Sequence, residues 1–483
     1  GWCTAGRSRE WPGFDSGPAW NGWGVDIANT RNQPAQHAGL NAEDIPKLTL
    51  KWAFGYPNAS SAQSQPAVVG GRLFVASQRG EVYALDAKTG CKHWMYEAQS
   101  GVRSAISIAT IDEGRPVAFF GDFNAHVYAL DAETGIELWS VEVDDHEGAR
   151  ITGAPVLYDG RLYVPVSSSE EGLAADPEYA CCTFRGSVVA LESATGKRVW
   201  KRYLIPDEPR PRGRNPEGLF LWGPAGAAVW SAPTIDPERQ LVYVATGNAY
   251  TEPAAETSDA ILALDMETGD IRWSRQFTPS DAFVLGCRDG NANCPTVNGP
   301  DFDFGASPVL VNAADGGSFL VVGQKSGLGY GLDLDREGAT IWQYRIGQGS
   351  ALGGVEWGFA VDTEKAYFGN SDYLTREPGG LAAVRLRTGE LVWFAEAHEP
   401  VCEGCSPALL AAITVIPGAV FSGASDGLFR AYSSRDGSVL WEYDTNGPHQ
   451  TVNGVEASGG SINGPGPVVV DGMVYVNSGY AAF

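Results

Sequence analysis

An all-β, eight-bladed β-propeller is the fold this sequence predicts, on three observations. One pattern recurs down the chain, a Gly followed four residues later by a Trp. Two further strand-like runs precede most copies, which gives four strands per unit. The composition is that of a turn-rich β protein, with 61 Gly, 29 Pro and 15 Trp in 483 residues.

The copies run in order as YALDAKTGCKHW (83–94), YALDAETGIELW (128–139), VALESATGKRVW (189–200), LALDMETGDIRW (262–273), GLDLDREGATIW (331–342), AAVRLRTGELVW (382–393) and RAYSSRDGSVLW (430–441). They end at Trp94, Trp139, Trp200, Trp273, Trp342, Trp393 and Trp441, and a weaker eighth copy, LTLKW, ends at Trp52. Before the Gly, an apolar run alternates faces as a strand does. The turn that follows uses Gly for its freedom at positive φ. The next strand ends in the Trp, read as a wedge between neighbouring blades. QPAVVGGRLFVAS (65–77) and APVLYDGRLYVPV (154–166) show the hairpin that leads into a unit. Successive Trp lie 42, 45, 61, 73, 69, 51 and 48 residues apart, so the shorter units are bare blades and the longer ones carry loop insertions. Residues 464–483 supply strands without a Trp motif, and the strand around Trp52 is expected to complete that blade. Residues 1–45 are expected to form an N-terminal extension packed on the ring, with 46–483 a single propeller domain.

Charge and cysteine content narrow the setting. With 34 Lys and Arg against 58 Asp and Glu, the net charge of -24 excludes binding to nucleic-acid phosphates and suits a basic protein partner. At 43% hydrophobic and 19% charged residues the chain is no disordered polymer. No stretch approaches the ~20 apolar residues of a membrane span. The chain begins at Gly1 with no signal-peptide pattern, read as the mature product of export, periplasmic or secreted. Eight Cys in close pairs favour disulfides. Cys402 and Cys405 have zinc-like spacing but no second pair follows, and Ser406 replaces the His of a haem-attachment motif. Cys287–Cys294 and Cys402–Cys405 close short loops; Cys181–Cys182 and Cys3–Cys91 complete one consistent pairing. No G-x-S-x-G elbow occurs, and the six His show no ligand spacing.

The repeat resembles the tryptophan-docking motif of the quinoprotein alcohol dehydrogenases, eight-bladed propellers that hold pyrroloquinoline quinone (PQQ) and a metal on the ring axis. It is also similar to that of non-enzymatic outer-membrane assembly propellers, so the segments between repeats must decide. ITGAPVLYDGRLYVPVSSSEE (151–171) resembles the segment ending in a metal-binding Glu, which falls on Glu170 with Glu171 adjacent; Thr152 falls at a quinone contact. VWSAPTIDPERQLVYVATGN (229–248) resembles the segment bearing the ring-stacking Trp and a metal-binding Asn, here Trp230 and Asn248. PDFDFGASPVLV (300–311) resembles the stretch with the catalytic carboxylate, here Asp301, with Asp303 as a further metal ligand. VVGQKSGLGYGLDLD (321–335) places the carbonyl-polarising cation at Lys325, and GVRSAISIA places the cofactor-pairing Arg at Arg103. Glu356 and Trp357 complete the implied cofactor contacts, although methanol-type relatives carry Asn where Glu356 stands. The residue types suit a planar tricarboxylate and a hard cation, Ca²⁺ first and a lanthanide second. The vicinal Cys of methanol-oxidising relatives precede the position of Arg103; here the adjacent pair sits one blade later.

Within the family, WNGWGVDIANTRNQPAQHAGL (20–40), GGVEWGFAVD (353–362) and VNGVEASGGSINGPGPVVVDGMVYVNSGY (452–480) resemble the subgroup that oxidises polyvinyl alcohol. The resemblance implies oxidation of secondary alcohols to ketones, with Asp301 as base, Lys325 assisting, and electrons passing to a separate cytochrome c. Insertions at 167–186, 203–229 and 280–304 could shape a polymer cleft. The alternatives are a small alcohol or other polyol as substrate, or a scaffold propeller without cofactor.

Overall fold

The computed structural model describes residues 1–4, 11, 17–111, 114–287, 291–312 and 317–481. Parts of the predicted extension and of the 280–304 insertion lie outside them. Seven antiparallel blades of four strands follow one another, over 67–97, 107–142, 156–203, 234–276, 309–345, 360–395 and 414–444, the third with the short strand Ala149–Arg150 added beside its second. In the first the strands are Ala67–Val69, Arg72–Ala76, Glu81–Asp86 and Lys92–Glu97. Burial grades across it, from complete on the first strand to alternation with solvent on the fourth. This is the signature of blades standing edge-on around an axis.

The repeat motif works the same way at successive interfaces. The Trp of the fourth strand pairs across from a small residue of the third, as in Ala84–Trp94, Ala129–Trp139 and Gly331–Trp342, beside a register shift that turns the strand. Six of the seven indoles then lie on the turn glycine of the next blade: Trp94 on Gly135, Trp139 on Gly196, Trp200 on Gly269, Trp273 on Gly338, Trp342 on Gly389 and Trp393 on Gly437, whereas Trp441 donates to Leu48 O. An indole Nε1 also donates to a carbonyl of the next blade, from Trp94 to Ala132 at 3.0 Å and from Trp342 to Leu386 at 2.7 Å.

The expectation of an eighth blade is corrected. Seven blades have four strands; beyond the seventh, the described residues form two separate hairpins, Gly447–His449 with Ala457–Gly459 and, in the eighth position, Val468–Val470 with Met473–Tyr475. Residues 48–52 form no strand, because LTLKW lacks the preceding strand and turn glycine that give every other Trp strand its partner. Trp52 still packs, 6.1 Å from Tyr475 and against Gly90, but its Nε1 is buried without a partner. The second hairpin bridges both neighbours, with Val468 and Tyr475 on Leu73 and Tyr83, and Val469 on Phe421 and Phe429.

Residues 20–33, within the predicted extension, cross the first strands of successive blades. Trp20 exchanges backbone hydrogen bonds with Val68, and the Asn21 side chain brackets Ile108. Trp23 packs against the cluster of Ala105, Ala154 and Ala232. The Ile27, Ala28, Thr30 and Arg31 carbonyls then accept from Ile235, Leu310, Val361 and Val415, and Gln33 Nε2 donates to Val469 O. Arg31 is 1% exposed; its guanidinium donates to Ile413 O at 2.7 Å, Trp23 O at 2.6 Å and Thr414 Oγ1 at 3.0 Å, and lies over the rings of Trp20 and Trp23. All four predicted disulfides form. Among the described residues no helix is long and apolar enough to cross a membrane.

Gly135 adopts φ +74°, and a Cβ there would stand 2.7 Å from the Trp94 ring. Gly135→Val therefore combines left-handed strain with overlap, and should cost about 2–4 kcal/mol. A lowered urea midpoint at unchanged slope is the expected result.

Candidate active site

Antiparallel blades put the start of each first strand and the end of each second strand at the same end of the ring. Every predicted site residue occupies one of those two places. Arg103, Thr152, Trp230, Asp301 with Asp303, and Glu356 with Trp357 lead into first strands; Glu170, Asn248 and Lys325 follow second strands.

Lys325 is the centre. Its Nζ lies 3.2 Å from both Asp301 carboxylate oxygens and 3.1 Å from Asp303 Oδ2, and all three residues are buried. Asp303 Oδ1 accepts the Asn248 N–H at 2.7 Å, so the acid pair ties the lysine to a neighbouring blade. The Asn248 Nδ2 donates to the carbonyls of Ala249 and Phe283, which leaves its amide oxygen to serve a cation. Asp301 has φ 59°, a conformation uncommon for a non-glycine residue. Asp281 holds it there by accepting the N–H groups of Asp301 and Phe302. Burial pulls the Lys325 ammonium down, but the Asp301, Asp303 and Glu356 carboxylates outweigh it and leave its pKa well above normal. Burial pushes the Asp301 carboxyl up, against the pull of Lys325.

Two indoles line this cluster. Trp230 and Trp357 meet edge to face with centroids 4.7 Å apart; Lys325 Nζ stands 5.4 Å from the Trp230 centroid and Arg103 Cζ 3.7 Å from that of Trp357. Thr152 Oγ1 donates to the Trp230 carbonyl at 3.2 Å. Gly305 is required beneath Trp230, since a methyl group there would overlap the indole and the Glu356 carbonyl. Arg103 Nη2 and Glu356 Oε2 are buried without hydrogen-bond partners.

Glu170, expected from the sequence to be a metal ligand, lies outside the cluster and is engaged by its own loop. Its Oε1 accepts from Tyr179 Oη at 2.9 Å and Thr183 N at 2.7 Å, and its Oε2 from Phe184 N at 2.8 Å, so the carboxylate anchors the loop after Cys181–Cys182. Glu171 faces the site instead: burial and the charge of Asp303 push its carboxyl up to about 7, with Lys325 opposing. Sequence reasoning also missed Asp281 and Asp259. Both Asp259 oxygens are buried without partners, and burial with the nearby Asp303 raises its pKa well above normal. No motif marked either residue. Among the described residues no three His, Cys, Asp or Glu side chains converge to hold an ion unaided.

A buried lysine–carboxylate cluster against paired indoles, at one end of a propeller, has the donors, acceptors and flat faces to hold a planar anionic group. Residues 20–348 match the family described as glucose/ethanol/alcohol dehydrogenase, β-propeller domain, of the PQQ type, and the chain belongs to that family. Residues 330–479 also match the outer membrane protein assembly factor BamB. Among curated relatives, a polyvinylalcohol dehydrogenase of Pseudomonas sp is 48% identical over 96% of this chain and 73% of its own length. A second, from Sphingopyxis sp. strain 113P3, is 46% identical over 96% of this chain and 72% of its own. The quinohemoprotein alcohol dehydrogenase of Comamonas testosteroni superposes with TM-score 0.68 at 20% identity, over 95% of this chain and 76% of that one. A europium-containing methanol dehydrogenase does so with TM-score 0.67 at 21% identity, over 93% and 90%. The residues fit the family's cofactor: the orphaned Arg103 Nη2 calls for an acceptor, and the indoles offer apolar faces to a planar ring.

Burial pushes the Glu356 carboxyl up to about 7, against the pull of Lys325 and Arg103. Between the ordinary glutamate value and that point, the folded chain keeps a proton that the unfolded chain has released. Stability of the ligand-free protein should therefore fall as pH rises across this window. Glu356→Gln should recover on the order of 3 kcal/mol above it. Melting curves from pH 4.5 to 8 on both proteins check the slope.

Proposed function

We propose that this protein oxidises the secondary alcohol groups of polyvinyl alcohol to ketones with bound PQQ, assisted by a cation, Ca²⁺ ahead of a lanthanide. The observation that carries the reading is Lys325 held between Asp301 and Asp303 beside Trp230, in a chain 48% identical to a polyvinylalcohol dehydrogenase. Trp230 and Trp357 would line the cofactor plane, Thr152 would steady Trp230, and Arg103 and Lys325 would meet cofactor oxygens. Glu171, Asn248, Asp301 and Asp303 would hold the cation. When bound, PQQ supplies the two-electron acceptor and the cation polarises it as a Lewis acid.

The chain's own part is proton handling and exclusion of water. Asp301 would accept the hydroxyl proton of the substrate, and burial raises its basicity toward the range a general base needs. Lys325 opposes the effect of burial on that carboxylate and lies where it can donate to a developing oxyanion. Electrons would leave to a cytochrome c, whose basic surface the charge of -24 would attract. Four disulfides support a periplasmic or secreted setting. The indole-to-carbonyl contacts between blades support reading the repeat as the family's docking motif.

Two measurements test this reading. With PQQ, Ca²⁺, polyvinyl alcohol and an artificial acceptor dye, Asp301→Asn should lower turnover by about a thousandfold or more while quinone binding persists. Near-normal turnover would remove Asp301 from the role of base. Separately, Glu171→Gln should weaken Ca²⁺ binding by calorimetry without loss of melting temperature. Glu170→Gln should do the opposite: it leaves a backbone N–H unsatisfied, costing about 1–3 kcal/mol.

A further inference from the structure

Two guanidiniums share one corner of the site in a chain of net charge -24. Arg103 lies over Trp357 and its side chain is hydrogen-bonded to Tyr480, with Glu356 within its field, yet its Nη2 is buried and unpartnered. Arg150 projects from the two-residue strand Ala149–Arg150, fixed by its pairing with Ser167. Its guanidinium stands 5.1 Å from the Phe123 centroid, and its Nε is likewise buried without a partner. Phe123 joins the two: its N–H donates to Gly101 O at 2.9 Å, two residues before Arg103. Gly101 has no Cβ, which would stand 2.9 Å from that ring. The charged groups facing Arg150 are Arg103, which with burial lowers its pKa, and the Tyr250 phenol; no carboxylate stands among them. Like charges placed together, with donor atoms unspent in a dry setting, fit an anion that arrives from outside.

We propose that Arg150 and Arg103 form a clamp for carboxylate groups of the cofactor, with Arg150 a binding residue in its own right. This rests on the PQQ reading above. A planar tricarboxylate held beside these indoles would need cations beyond Lys325, which is already engaged by Asp301 and Asp303. The planar fork of arginine matches a carboxylate in two bonds, which lysine cannot reproduce.

The test is a titration of apo-protein with PQQ plus Ca²⁺, followed by quenching of Trp fluorescence and by calorimetry, with no substrate present. Arg150→Ala should raise Kd about tenfold or more and flatten its dependence on salt, with Arg150→Lys between. The trimethyl ester of PQQ, which lacks the charges, should bind weakly to wild type and lose no further affinity in Arg150→Ala. Wild-type Kd in folded Arg150→Ala overturns the clamp. Should that variant fail to fold, ester binding to wild type as tightly as PQQ itself overturns it. No quenching in folded wild type overturns the clamp and the cofactor reading together.

Discussion

An indole lying flat on the next blade's turn glycine is the contact on which the rest of this structure depends. A four-stranded sheet of this size, buried on its first strand and wet on its fourth, cannot stand alone. The contact is made at the outer edge, where Trp94 meets Gly135 and Ala132, yet its consequence is felt at the axis. Blades locked at their rims present their inner strands in a fixed circle. Residues 20–33 then bind those strands in turn through Val68, Ile108, Ile235, Leu310, Val361 and Val415. Side chains from loops of five different blades, from Arg103 to Trp357, are thereby brought to one end of the ring, where contacts such as Asn248 with Asp303 and Trp230 with Trp357 join them.

What the sequence showed follows from this division of labour. The rim motif is local in sequence, a small residue, a turn glycine and a Trp within one repeat, although the contact it makes runs to the next repeat. Hence the seven blades were legible, and so were the short disulfide loops 287–294 and 402–405. The eighth position was not. There the Trp of LTLKW stands without a turn glycine of its own, and a motif missing its strand partner looks in sequence like a weak copy. Trp230, Asn248, Asp301 and Lys325, which sit inside regular spacing, lie together at one end of the ring. Glu170 and Glu171 could not be separated by counting, because residues Glu170–Leu173 form a helical turn. Neighbours on a helix point about 100° apart, so one carboxylate anchors a loop and the next faces the cluster. Asp281 and Arg31 were silent for another reason. Each is defined by backbone groups far away in sequence, Asp301 and Phe302 for one, Ile413 and Trp23 for the other.

The electrostatics of the site run against its own stability. Glu171, Asp259, Asp281, Asp301 and Glu356 are each pushed up by burial, and the field of Asp303 acts on all five. Against them stand Lys325 and, at the edge, Arg103. A flexible site would relax by turning carboxylates to water. Here Asp281 pins Asp301 in a left-handed conformation, and the Asn248 N–H pins Asp303. The cost is borne by a ring with seven indole-bearing blades and a strand across their inner edges. Acids confined in this way have protons to give up and oxygens to offer when a cation enters, so cation binding and proton release become one event. Rigidity at the rim lets the centre hold its charges in a geometry set by the ring, independent of what those charges would choose alone.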